Sequence, residues 1–132
     1  MKTVRMQWSG NFAVIDAIMR HLGVRYSEQE RDEYMMYYGA LGTAFLVLCT
    51  YKTNKRLLTI RLHTDQNKPI TSVNMFECQK IELVRCKNNL PRVCIQAVRD
   101  AWISRVSIDE HSFHEHSQPM PYPTSWPKAA RA

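Results

Sequence analysis

Three imidazoles crowd one stretch of the chain, His111-Ser112-Phe113-His114-Glu115-His116, directly behind the carboxylates of Asp109 and Glu110. Imidazole nitrogens and carboxylate oxygens are ligands for zinc and similar ions, so His111, His114 and His116 form the candidate metal set. A His-x-His step turns both rings to one side only where the backbone is extended, and the spacing matches no standard zinc pattern. A solvated segment that picks up metal adventitiously is the simpler reading, and no cofactor is expected.

Four thiols, Cys49, Cys78, Cys86 and Cys94, are the candidate nucleophiles. None forms a Cys-x-x-Cys pair, and each sits in an apolar stretch that raises a thiol pKa and blunts its reactivity. Reduced, mostly buried cysteines are expected. His21 and His63 stand alone as possible acids or bases, without the paired carboxylates, Ser elbow or Gly-rich phosphate loop that would turn one into a catalytic site. No catalytic residue is assigned, and an enzyme is the less favoured class.

Charge offers more. The chain carries 18 Lys and Arg against 12 Asp and Glu, a net charge of +6. Lys52, Lys55, Arg56, Arg61, His63, Lys68, Lys80, Arg85 and Lys87 are candidates for one basic surface able to hold phosphates, with Tyr51 and His63 available to stack. The excess is uneven, because Glu28, Glu30, Asp32 and Glu33 make an acidic run. Glu30, Glu33, Met35, Met36 and Tyr37 are then candidates for an acidic, aromatic protein-binding element, since Tyr and Met are enriched at interface centres and charge asymmetry orients docking.

These residues need elements to position them. Val4, Met6 and Trp8 alternate with Thr3, Arg5 and Gln7, which predicts an edge strand over Lys2–Trp8. Ser9-Gly10-Asn11 supplies turn and helix-cap chemistry, and Phe12, Ile15, Ile18, Met19 and Leu22 recur at helical spacing until Gly23, which predicts a helix over 11–22. Ser27 with Glu30 makes a capping box at the start of a second predicted helix, 28–38, whose stripe is Tyr34, Tyr37 and Tyr38 and which Gly39 and Gly42 close. From Thr43 the period changes to two, predicting a central strand to Tyr51 with both faces covered and a partner hairpin strand over Arg56–Thr64. Thr71–Cys78 and Ile81–Cys86 read as two further strands. Pro91 at a first turn and Cys94, Ala97, Val98, Ala101 and Trp102 on one stripe predict a last helix over 91–106.

At 132 residues and 45% hydrophobic composition, the chain has the size of one domain, taken as 1–108 and followed by a His- and Pro-rich tail, 109–132, extended or docked. The expected fold is an α+β two-layer sandwich in the order β-α-α-β-β-β-β-α: an antiparallel sheet of four to five strands with helices on one face. Helix, strands, helix is also the order of a double-stranded-RNA-binding domain. The expected last helix opens Leu90-Pro91-Arg92-Val93-Cys94, however, and lacks the lysines such a domain sets against phosphate.

No apolar stretch is long enough to span a bilayer and the N-terminus has no signal-peptide pattern, so a cytoplasmic location in a host cell and no membrane partner are expected. The leading functional expectation is a small non-enzymatic interaction protein that binds a protein or nucleoprotein, of the kind found among viral or phage accessory and inhibitor proteins, with a homodimer possible. The alternatives are an RNA- or DNA-binding module using the basic hairpin and, behind it, a His-dependent metalloenzyme.

Overall fold

Residues 3–64 and 74–120 are described by the structure, a computed structural model. Among them one helix and nine strands alternate once and then run as strands to the end: β1 (Thr3–Gln7), α1 (Phe12–Leu22), β2 (Tyr26–Glu30), β3 (Tyr34–Leu41), β4 (Ala44–Tyr51), β5 (Leu57–Thr64), β6 (Asn74–Arg85), β7 (Pro91–Arg99), β8 (Trp102–Ile108) and β9 (Phe113–Pro119). All pair antiparallel in one sheet of order β2-β3-β4-β5-β6-β7-β8-β9, with β1 on β6. The expected several-helix sandwich is therefore wrong. The fold is a mostly antiparallel sheet with a single short helix.

The helix forms where the sequence predicts it. Asn11 accepts the amide hydrogen of Ala13 at 2.8 Å, a cap that contributes about 1 kcal/mol. At the other end Gly23 takes φ 75°, and the amides of Gly23 and Val24 bond back to Arg20 and Met19, which closes the helix with a reverse turn only glycine enters without strain. Val14, Ile15, Ile18, Met19 and Leu22 are buried against the inner sheet face, where Leu46, Leu48, Leu58, Ile60, Ile81, Val93, Ile95 and Ile108 complete the core. Phe12 packs on Tyr26 and Tyr37 at one end of the helix. At the other, His21 Nε2 lies 2.9 Å from the Val84 carbonyl and 3.1 Å from that of Arg92. Carbonyls only accept, so Nε2 carries the hydrogen and pins α1 across β6 and β7.

Two expected helices are strands. Over 28–38 the acids that look like a helix start lie on β2 and the turn after it. The run Tyr34 to Tyr38 alternates instead, with Tyr37 buried inward and Met36 and Tyr38 on the outer face. Both faces are apolar, and that hides the period. Over 91–106 the β-branched Val93, Ile95, Val98, Ile103 and Val106 form a hairpin. Its turn is Asp100-Ala101, with Asp100 at φ 55°, a left-handed conformation that Asp tolerates better than most residues. Pro91 begins a strand, the place in a sheet where a missing N–H matters least.

Within the described residues, the expected strands 71–78 and 81–86 are replaced by one, β6 (Asn74–Arg85), irregular between Cys78 and Lys80; residues 71–73 lie outside the described residues. That break lets one edge of β6 take β5 over Asn74–Glu77 and β1 over Lys80–Val84. Beyond residue 109, Phe113–Pro119 is paired with β8 as β9. The prolines and aromatics from residue 121 onward lie outside the described residues.

The sheet curls around the helix until the β3–β4 turn meets the β8–β9 turn. A Cβ on Gly42, at φ 60°, would come 2.8 Å from the Glu110 carbonyl oxygen. With α1 filling the inner side, β4 is covered on one face and not on both. Its outer residue Phe45 is 37% exposed.

Candidate functional site

Side-chain alternation and register divide the outer sheet face into two fields. On β3, β4 and β5 it carries Tyr34, Met36 and Tyr38, then Phe45, Val47 and Tyr51, then Arg61 and His63. Met36, Tyr38, Phe45, Val47 and His63 line a shallow depression of about 290 Å³. The rings of Tyr34 and Tyr51 stand 5.9 Å apart beside it, and the Tyr51 hydroxyl shares a hydrogen bond with the buried Thr59. The Arg61 Nε is buried, without a hydrogen-bond partner among the described residues. No second layer covers this field among the described residues.

The second field lies on β1 and β6 to β9. Gln7 pairs with Lys80, Lys80 with Gln96, Gln96 with Arg105 and Arg105 with His116. These five side chains form a row across the strands, each step about 4.8 Å. The neighbouring row is Arg5, Glu82, Cys94, Ser107 and His114. Glu82 is held by Arg5 at 3.0 Å, while the nearly buried Asp109 faces Arg92 at 3.4 Å.

The candidate basic residues do not merge into one surface. Lys52 donates to Glu30 at 2.9 Å, and Lys55 and Arg56 are exposed in the same β4–β5 turn. Arg85 donates to the Asn89 carbonyl at 3.2 Å in the β6–β7 turn that also holds Lys87. The stretch of β6 from Glu77, opposite Leu57, to Arg85 separates the two turns by roughly 25 Å. Lys68 lies outside the described residues.

The acidic and aromatic set is also split. Glu30 sits at the end of β2 beside Lys52, and Glu33 gives its carbonyl to the Lys52 amide at 3.0 Å. Met35 and Tyr37 point inward to the core, leaving Met36 on the outer face.

His114 and His116 share the outer side of β9, while His111 sits in the preceding turn with Nε2 3.2 Å from Glu110. Among the described residues no three His, Cys, Asp or Glu side chains come together to hold a metal ion. The four cysteines are unbridged. Burial pushes the Cys78 thiol up to about 12 and raises those of Cys49 and Cys94, which keeps them protonated and poorly nucleophilic at neutral pH.

A polar cleft of about 360 Å³ opens where β6 passes from β5 to β1, lined by Gln7, Trp8, Arg56, Glu77, Cys78 and Gln79. Trp8 is only 6% exposed, and its indole N–H has no hydrogen-bond acceptor among the described residues.

A reading of 91–106 as helix puts Gln96 and Arg105 on the outer face of that helix and not in register with Lys80, so the row through Lys80 and Arg105 escapes it. The signal that finds it is the alternation of Arg92, Cys94, Gln96 and Val98 with Val93, Ile95 and Ala97. No described helix is long and apolar enough to cross a membrane. Comparison with protein-family models, curated proteins and solved structures returned no match to this chain.

Proposed function

We propose that the chain is a non-enzymatic binding protein that docks a partner protein on the outer face of β3, β4 and β5. One observation carries this reading: Met36, Tyr38, Phe45 and Val47 form an apolar field on a sheet face that nothing covers among the described residues. Aromatic residues and methionine dominate the centres of protein interfaces, and contiguous exposed apolar area on a small domain marks an interaction site. Arg61 and His63 border the field and favour a partner with acidic groups at its rim. An intracellular location fits four unbridged thiols.

The test is site-specific photocrosslinking in the native host. A photoreactive phenylalanine at position 45 is expected to give a discrete crosslinked protein, and the same probe at Trp102, which is 46% exposed on the opposite side of the sheet, is expected to give none. Equal products at both positions, or none at position 45, would count against the assignment.

A further inference from the structure

We propose that the row Gln7, Lys80, Gln96, Arg105 and His116 is a binding track for single-stranded nucleic acid, laid across β1, β6, β7, β8 and β9. It uses the second field of the outer face and does not rest on the protein-docking role of the first.

The alignment is set by register, which places all five side chains on one side of the sheet over roughly 19 Å. Acids that would neutralise it are occupied or turned away. Glu82 is paired with Arg5, Asp109 is buried against Arg92, and alternation puts Glu115 on the side of β9 opposite His114 and His116. On the strand that holds Lys80, Glu77 borders the row on one side and the Arg5-paired Glu82 on the other. Lys80 and Arg105 have no ion-pair partner among the described residues. Side chains of opposite charge on adjacent strands stabilise a sheet, so a row of cations and amides is not what stability alone would place there.

The residue types suit a nucleic acid better than an acidic protein. Lys80 and Arg105 supply phosphate contacts. Gln7 offers an amide donor and an acceptor, and Gln96, whose Nε2 also donates to Gln79 Oε1 at 3.4 Å, keeps its own Oε1 as an acceptor; an acidic peptide does not need such groups and a base edge uses them. The His114 and His116 rings and the Arg105 guanidinium plane offer faces on which unstacked bases can lie. A sheet face without a protruding element reaches a duplex groove only by deforming the duplex, whereas splayed single-stranded bases spread on it without that cost.

The experiment is fluorescence anisotropy of the full chain with single-stranded RNA and DNA of mixed sequence, with the matching duplex and with heparin, between 50 and 200 mM salt. The unsubstituted chain is expected to bind single strands more tightly than duplex or heparin. The double variant Lys80→Gln/Arg105→Gln is expected to lose at least about tenfold in affinity at low salt and to flatten the slope of log K on log salt by about 1.4, or 0.7 for each phosphate contact removed. Arg31→Gln, which removes an exposed cation from the turn between β2 and β3, outside the row, is expected to bind nearly like the unsubstituted chain. Circular dichroism confirms that the variants are folded. No binding at 50 mM salt, an unchanged double variant, or heparin and duplex bound as tightly as single strands would each overturn the proposal.

Discussion

Arg105 and His116 face each other directly across the β8–β9 ladder, with Gln96 on the other flank of Arg105. None of these neighbours is acidic, so Arg105 gains no cross-strand ion pair. Replacing it with Gln is expected to leave the Tm unchanged or to raise it by a few degrees, read by calorimetry. A fall of more than about 5 °C would show that Arg105 serves the fold and not a ligand.

The curl of the sheet is tested at its tightest approach. Gly42→Ala adds a Cβ at φ 60° that meets the Glu110 carbonyl, whereas Gly23→Ala adds one at φ 75° with nothing within 4 Å. Both suffer the left-handed backbone cost of about 1–2 kcal/mol. Only Gly42→Ala must also part the β3–β4 and β8–β9 turns, so its loss on chemical denaturation is expected to exceed that of Gly23→Ala by about 1 kcal/mol or more. Equal losses would mean that the two turns do not touch in solution.

Asp109 makes the β8–β9 turn sensitive to acid. Burial alone would raise its pKa. The amide of His111 at 2.8 Å, the Ser112 hydroxyl at 3.0 Å and the Arg92 guanidinium outweigh that effect and hold it below 3.8. A depressed folded pKa contributes stability that is present above the unfolded value and lost as pH falls through the folded one. Stability is therefore expected to decline below about pH 4, and Asp109→Asn to flatten that decline while costing about 1–3 kcal/mol at neutral pH. An acid limb identical in the variant would assign the effect to other carboxylates.

Tyr26 ties the start of β2 to the helix. Its hydroxyl donates to Asp16 at 2.6 Å, and this bond, more than burial or nearby charge, pushes its pKa up to about 12. Ultraviolet titration is expected to show a phenol ionising near that value, and Asp16→Asn to return it toward 10.0. Persistence of the late phase in the variant would place it on another phenol, such as Tyr37, which burial also raises.

The parts of the fold legible in the sequence are those in which one pattern stands alone. Asn11, Gly23 and an apolar stripe specify α1, clean alternation specifies β1 and β5, and a short apolar run between a glycine turn and a polar turn specifies β4. Misreading follows where two patterns coincide. Ser27 and Glu30 satisfy a capping box by composition, yet the chain continues into Tyr34–Tyr38, whose aromatics favour a strand and whose two apolar faces erase the period. Cys94, Ala97, Ala101 and Trp102 fall at helical spacing by accident of a turn at Asp100, which the β-branched alternation on either side outweighs.

The candidate site suffers from the same cause. Met36 and His63 are legible as individual residues, but their meeting with Phe45 requires the register of β3 on β4 and β4 on β5. Lys80, Gln96 and Arg105 are separated by 16 and 9 positions in sequence and become neighbours only through the β6–β7 and β7–β8 ladders.

The function proposed for the chain is docking of a partner on the apolar field of β3 to β5. Its most direct measurement is retention of the position-45 crosslinked protein by the purified unsubstituted chain and by Phe45→Glu, at matched concentration and with Tm recorded for both. A binding site centred on this field predicts a loss of retention of at least about tenfold in Phe45→Glu, at a Tm within a few degrees of the original, because a charge at an interface centre leaves a desolvated, unpaired group. Equal retention by the two folded proteins would contradict the claim.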